Sequence, residues 1–219
     1  MPRIIKSAKG TFTTADITID SDGRVVTASS GAGGDGSYVP RIVAVGPASG
    51  NYDSPANASK FYAYAFAGGG GGGAGSNTNP GCEGGDGGKG AAGFYSGSVS
   101  GNTTYAYSVG AGGSGGPGSQ NHFGVSGQTG GDTSVTNLFT AGGGTAGPGS
   151  GNSPGVRPDA SDTPASNATF SIPRGMYMSN QNTDGLGLNG TGGANGPSST
   201  RAGNSGTPGL LHYFDDGGQ

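Results

Sequence analysis

Apolar and polar positions alternate in short runs along this chain, and each run reads as a strand because successive side chains fall on opposite faces. The clearest is Lys60 to Ala67 (KFYAYAFA), which puts Tyr62, Tyr64 and Phe66 on one face and Ala63, Ala65 and Ala67 on the other, with Phe61 the exception on the small face. That strand runs directly into six consecutive glycines, Gly68 to Gly73. A bare face followed by glycine predicts close approach by another backbone. Further strands are predicted over Tyr38 to Gly46, Asn102 to Gly110, Thr133 to Thr140, Ala168 to Pro173 and Gly209 to Phe214. Pro40 confines the first of these to a sheet edge. No segment combines a 3.6-residue apolar period with helix caps, so essentially no helix is expected.

The N-terminal part carries a separate signal. Asp22-Gly23 favours a tight hairpin turn, since both central positions of a type I′ turn need positive φ. A two-residue loop there pairs Ser21 with Arg24, Ile19 with Val26 and Ile17 with Ala28. Ile17, Ile19, Val26 and Ala28 then share one face, and Asp16, Thr18 and Asp20 the other. A lone hairpin is marginal in water, so this one is expected to pack on copies of itself or on a partner. The run GAGGDG, residues 31–36, follows as a linker, dividing the chain into residues 1–36 and 37–219.

Composition changes the picture of the remainder. Glycine supplies 53 and proline 13 of 219 residues, about thirty per cent together, a range usual for low-complexity chains. Charged residues are only 11%, however, and most of the 9 tyrosines and 8 phenylalanines lie in the strand-like runs. Order is therefore expected, with glycine's large entropic cost recovered by close packing. The glycines also recur every third residue: Gly84, Gly87, Gly90 and Gly93, then Gly110, Gly113 and Gly116 interleaved with Gly112, Gly115 and Gly118. Such spacing fits short left-handed polyglycine-II segments bundled side by side. The expected fold is all-β: a short N-terminal hairpin segment followed by a glycine-rich, β-sandwich-like knob with polyglycine-II segments.

Charge and reactive residues exclude more than they assign. The net charge of −3 argues against nucleic acid as a partner. Arg3, Lys6 and Lys9 fit an arm docking on an acidic surface. No apolar run approaches the length of a membrane span, and no signal-peptide core precedes the first strand. The single cysteine, Cys82, excludes an internal disulfide framework, and with His122 and His212 as the only histidines a zinc cluster is not expected. GGDGGKG, residues 84–90, lacks the first glycine and the hydroxyl of a phosphate loop. Asp215 and Asp216 read as a solvated strand end, and the sequons at Asn57, Asn102, Asn167 and Asn189 as a product of composition. No catalytic, cofactor-binding or metal-binding residues are expected, and the chain is read as a non-enzyme. Residues suited to surface recognition are Phe94 and Tyr95 after one glycine series, His122 and Phe123 between two others, and Tyr177 and Asn180 in a long polar stretch. Rings and amides provide the stacking and directional hydrogen bonds that sugar or protein contacts use.

Two stretches resemble a known group of proteins. TADITIDSDGRVVTASSG is similar to a hairpin element of phage tail-fibre and fibre-like virion proteins. The succession of an apolar strand into GGGGGG, then GGDGGKGAAGF, TTYAYSVGAGGSGG, TSVTNLFTAGGG and GNSGTPGLLHYF resembles the glycine-rich domain of phage tail-fibre and minor tail proteins, over roughly residues 40 to 216. The resemblance implies a bacteriophage virion protein, a fibre or fibre tip that displays loops to a host surface. It implies a homotrimer assembled through Ile17, Ile19, Val26 and Ala28, attached to other virion proteins by its N-terminal segment, with a host glycan or protein as receptor. A capsid-attached head fibre or decoration protein, and a non-viral glycine-rich cell-surface protein, are the alternatives.

Overall fold

The computed structural model describes residues 15–19, 25–30, 38–76, 82–118, 124–150, 155–156, 160–171 and 202–217. They hold strands and no helix. The first two, β1 (Ala15–Ile19) and β2 (Val25–Ser30), pair antiparallel as a sheet of their own. Ile17 lies opposite Ala28 as expected, but Ile19 lies opposite Val25, because the register shifts between Thr18 and Ile19. Val26 is thus the extra residue of a bulge, and the predicted pairing of Ile19 with Val26 is corrected. The Asp22-Gly23 turn itself lies outside the described residues.

The remaining long strands form two antiparallel sheets. They are β3 (Val39–Val45), β4 (Ala48–Asp53), β5 (Lys60–Phe66), the short β6 (Cys82–Glu83), β7 (Ala92–Ser98), β8 (Thr104–Val109), β9 (Thr133–Val135), β10 (Phe139–Ala141), β11 (Gly155–Val156), β12 (Phe170–Ser171) and β13 (Leu210–Asp215). One sheet has the order β12-β7-β5-β13-β3 and the other β10-β9-β8-β4, while β6 and β11 make a small parallel pair. Pro40 does sit in an edge strand. The predicted strand 133–140 is a hairpin instead, turning at Asn137 with φ 64°. Asn102 and Asn167 also have positive φ, 52° and 58°. Asparagine tolerates that region better than most residues, so these two sites have a turn geometry to account for them.

Strand β5 is central in its sheet, and its two faces do opposite things from a simple polarity reading. The alanine face is the core face. Ala63 lies directly between Tyr95 of β7 and Tyr213 of β13; its small side chain leaves room for both rings. Phe61 fits beside Gly97, where a Cβ would stand 3.1 Å from the phenylalanine ring. Side chains of the neighbouring strands and of the other sheet, not another backbone, thus fill the bare face. The rings continue across the core: Tyr95 stacks on Phe139 at 4.5 Å, Phe139 on Phe61 at 6.0 Å, Phe61 on Tyr213 at 5.5 Å, and Tyr213 meets Tyr52 at 5.2 Å. Tyr62, Tyr64 and Phe66 take the outer face with Phe94 and Phe214.

The end of β13 is not solvated. Asp215 is wholly buried, receives the Nε of Arg41 at 3.1 Å and the Tyr52 hydroxyl, and its Oδ1 accepts the Gly217 amide at 2.9 Å. Arg41 also donates to the Gly217 carbonyl. One carboxylate thereby ties β13 to β3 in its own sheet and to β4 in the other. Asp216 accepts the Ser59 amide at 2.7 Å and the Lys60 amide at 2.9 Å. Burial works to raise its pKa, but those amides and the Ser59 hydroxyl outweigh it and hold the carboxyl below its ordinary value. The expectation of a solvated acidic strand end is corrected for Asp215, because a part-buried guanidinium, a phenol and a backbone amide need this acceptor; Asp216 stays partly exposed while accepting backbone amides.

Candidate functional site

The glycine run leaving β5 is the hub of a second packing unit. Its backbone N–H groups point in three directions in turn, as a chain with three residues per turn requires. Ala67, Gly70 and Gly73 donate to the carbonyls of Ala91, Gly88 and Gly85 at 2.8–2.9 Å. Gly68, Gly71 and Ala74 donate to Gly131, Gln128 and Val125 at 2.8–3.0 Å, and Gly69 and Gly72 to Thr207 and Asn204 at 2.9 Å. Acceptance follows the same period. Gly144, Gly147 and Ser150 donate to Gly68, Gly71 and Ala74, and Gly113 and Gly116 to Gly69 and Gly72, at 2.8–2.9 Å. Five segments thus surround residues 67–74: 84–91, 124–131 and 202–209 run antiparallel to it, 110–118 and 142–150 parallel. A further stretch, 160–163, docks on the outside, where Ala160 and Thr163 donate to Asp86 and Lys89 at 2.9 Å.

Space explains why the glycines stand where they do. A Cβ on Gly70 would approach the Thr145 carbonyl oxygen, and one on Gly113 the Gln128 oxygen, far inside the 3.0 Å that real Cβ atoms respect. The two interleaved series seen in the sequence serve different neighbours. Gly110, Gly113 and Gly116 face the carbonyls of Gly131, Gln128 and Val125, while Gly112 and Gly115 face those of Gly206 and Gly203. None of these positions has positive φ, so the requirement is for a missing side chain, not for backbone freedom. The tracts are polyglycine-II segments, packed to form structure.

This lattice sets where the connections emerge. Residues 67–76 leave the sheets; 84–91 return to β7. Residues 110–118 leave β8 and 124–131 return to β9, while 142–150 leave β10 and 202–209 return to β13. The far end of every segment therefore lies at one tip. There Ala74 exchanges bonds with Val125 and Ser150, Gly124 donates to the Ser150 hydroxyl at 2.8 Å, and Gly149 to the Ser126 hydroxyl at 3.2 Å. β6 and β11 pair at the same end, Cys82 opposite Gly155. The described residues on either side of 77–81, 119–123 and 151–154 all lie at this tip.

The predicted recognition residues fall in different places. Tyr95 is 1% exposed and belongs to the core, where its hydroxyl has no hydrogen-bond partner among the described residues and burial raises its pKa. Phe94 and Tyr95 lie in strand β7, not in a loop, so the expectation of a contact loop there is corrected. The signal missed was alternation in AGFYSGS, obscured by glycines that make room for neighbouring rings. Phe94 is half-buried on the outer face, 5.2 Å from Tyr64 and 5.8 Å from Tyr62. His122 and Phe123 lie outside the described residues. Tyr177 and Asn180 also lie outside them. Strand β4 and the Arg41–Asp215–Tyr52 cluster had no visible signal, because ASGNYD is polar and Arg41 and Asp215 are far apart in sequence.

Among the described residues the tip is polar. Its acids, Glu83 and Asp86, are separate; Lys89 pairs with Asp162 at 3.8 Å on an exposed flank. Among the described residues no group of histidine, cysteine and acidic side chains could hold a metal ion, and no helix is long and apolar enough to cross a membrane. What the geometry offers is a hydrogen-bonded support whose described segment ends, near residues 76, 84, 118, 124, 150 and 202, are gathered at one end.

No curated protein matches the sequence. A family model, the glycine-rich domain, matches residues 43–219, which covers the whole lattice and both sheets apart from the first residues of β3. The chain belongs to the glycine-rich domain family.

Proposed function

We propose that this chain is a structural protein of a bacteriophage virion, a fibre or fibre-tip component that presents the tip connections to a host surface. The observation that carries the reading is that the described lattice segments on either side of 77–81, 119–123 and 151–154 all end at one end of the polyglycine-II lattice. A rigid support with connections gathered at one end favours multivalent binding of a surface receptor, glycan or protein, in which weak single contacts add through avidity. The hairpin residues 15–30 and the linker after them supply attachment to other virion proteins and assembly into a homotrimer, giving the open sheet edges and the small hairpin their partners. Recognition here needs neither catalysis nor a cofactor.

The test replaces Asn121, His122 and Phe123 together by Gly-Ser-Gly in the full-length protein and measures adsorption of fluorescently labelled protein to host cells. The expected result is a loss of about tenfold or more in binding with an unchanged melting temperature, since the exchange leaves lattice residues 110–118 and 124–131 unaltered. Undiminished adsorption would remove 119–123 from the receptor-binding surface. Hydrolysis of host polysaccharide by the purified protein would overturn the non-enzymatic reading.

A further inference from the structure

Among the described residues the exposed large apolar side chains are Val43, Val45 and, near the tip, Val125; the first two share one surface. Val43 and Val45 are 67% and 53% exposed, and both lie on β3, the edge strand of the five-stranded sheet. Ile42 between β13 and the core is buried, so the two valines share the outer face. Val43 sits opposite His212 and Val45 opposite Leu210. Edge strands are ordinarily protected by proline, bulges or charge. Pro40 and the register shift beside Arg41 protect the first half of β3 in this way, whereas Ile42 to Val45 has no such device.

We infer that this half of β3 and the face beside it are an interface with a second copy of the same chain. The inference rests on reading the N-terminal hairpin as the assembling segment. Only residues 31–37 separate the end of β2 from Tyr38, and a fully extended link of that length spans about 25 Å. Copies joined through their hairpins hold their β3 strands within that reach of the join. Two valines per chain are too little surface for a stable complex between free proteins. Tethering raises the effective concentration to the millimolar range, where a small apolar patch is enough. The face also suits a neutral, like partner: Val43, Val45, Leu210 and His212 present no fixed charge between them, and burial lowers the His212 pKa so that the imidazole is uncharged at neutral pH. The titratable group across from His212 on β5 is the Tyr64 phenol; Lys60 stands at the start of β5 and Asp216 just past the end of β13, each four residues along the chain from Tyr64 and His212.

Full-length protein carrying Cys82→Ser with Val43→Cys and Val45→Cys tests this, against Cys82→Ser with Thr104→Cys, an exposed position in the other sheet. A disulfide needs Cα atoms within about 7 Å. Mild oxidation is expected to give covalent oligomers from the β3 variant at least about tenfold faster than from the Thr104 variant, and its thiols should alkylate more slowly in the assembled protein. Light scattering separates the two ways to fail. An oligomeric mass with cross-linking and alkylation no different from the Thr104 variant overturns the interface and leaves the hairpin reading standing. A monomeric mass overturns the hairpin reading, and the interface with it.

Discussion

Glycine at residue 70 or 113 is dictated by neighbouring carbonyl oxygens, so a side chain there must displace backbone that is itself hydrogen-bonded. Gly70→Val and Gly113→Val are each expected to cost about 3 kcal/mol, which lowers the melting temperature of a domain this size by roughly 6–12 °C. Thr104→Val, at an exposed strand position, is the control and should leave melting within a degree or two of the parent; unaltered melting in both glycine variants would contradict close packing. Asp215→Ala orphans Arg41 and the Tyr52 hydroxyl together and is expected to destabilise by about 3 kcal/mol. Differential scanning calorimetry reads that loss directly, and an effect below about 1 kcal/mol would show the cluster to be dispensable.

His212 adds a pH dependence at the same scale. Burial lowers its pKa from the ordinary 6.5, so the unfolded chain binds more protons than the folded one as pH falls. Stability is therefore complete above about pH 7 and declines as pH drops through 6.5 towards the depressed folded value. His212→Gln is expected to flatten the stability curve between about pH 7 and pH 5 in urea melts, while a curve of unchanged slope would assign the dependence elsewhere. Asp216, whose pKa is held down, contributes in the same direction at lower pH: its hydrogen bonds stabilise above its ordinary value of 3.8 and are lost as pH falls further.

At the level of elements, legibility followed from whether a pattern depends on the chain alone. Strand β5 and strand β13 could be read because their alternation survives intact. The three-residue glycine spacing was visible because a helix with three residues per turn imposes it wherever two such chains touch. Strand β7 escaped because Gly93 and Gly97 replace side chains that Tyr95 and Phe61 displace, which only the neighbours explain. The polar tract at 145–167 could not be assigned from composition; within it, 145–150 and 160–163 belong to the lattice or its flank through bonds to residues more than fifty positions away. The Arg41–Asp215 pair, 174 residues apart, is a purely tertiary fact. Of the recognition residues, Tyr95 illustrates the general difficulty: a ring beside glycine reads as a loop, yet glycine is there to admit the ring to a core.

The whole molecule joins a sandwich and a lattice through one continuous chain, residues 60–76, which is central in both. Sheet hydrogen bonds hold its first half and polyglycine-II bonds its second, so the two units should gain and lose structure together. The reading of the tip as a display surface depends on that rigidity, since connections on a loose glycine linker would not keep a fixed spacing. Hydrogen–deuterium exchange on the intact protein tests it most directly, by following the amides of residues 67–74 against those of β5. The lattice predicts exchange as slow in 67–74 as in Lys60–Phe66, with both segments opening together as denaturant is added. Exchange of 67–74 at the rate of an unstructured chain while β5 stays protected would contradict it.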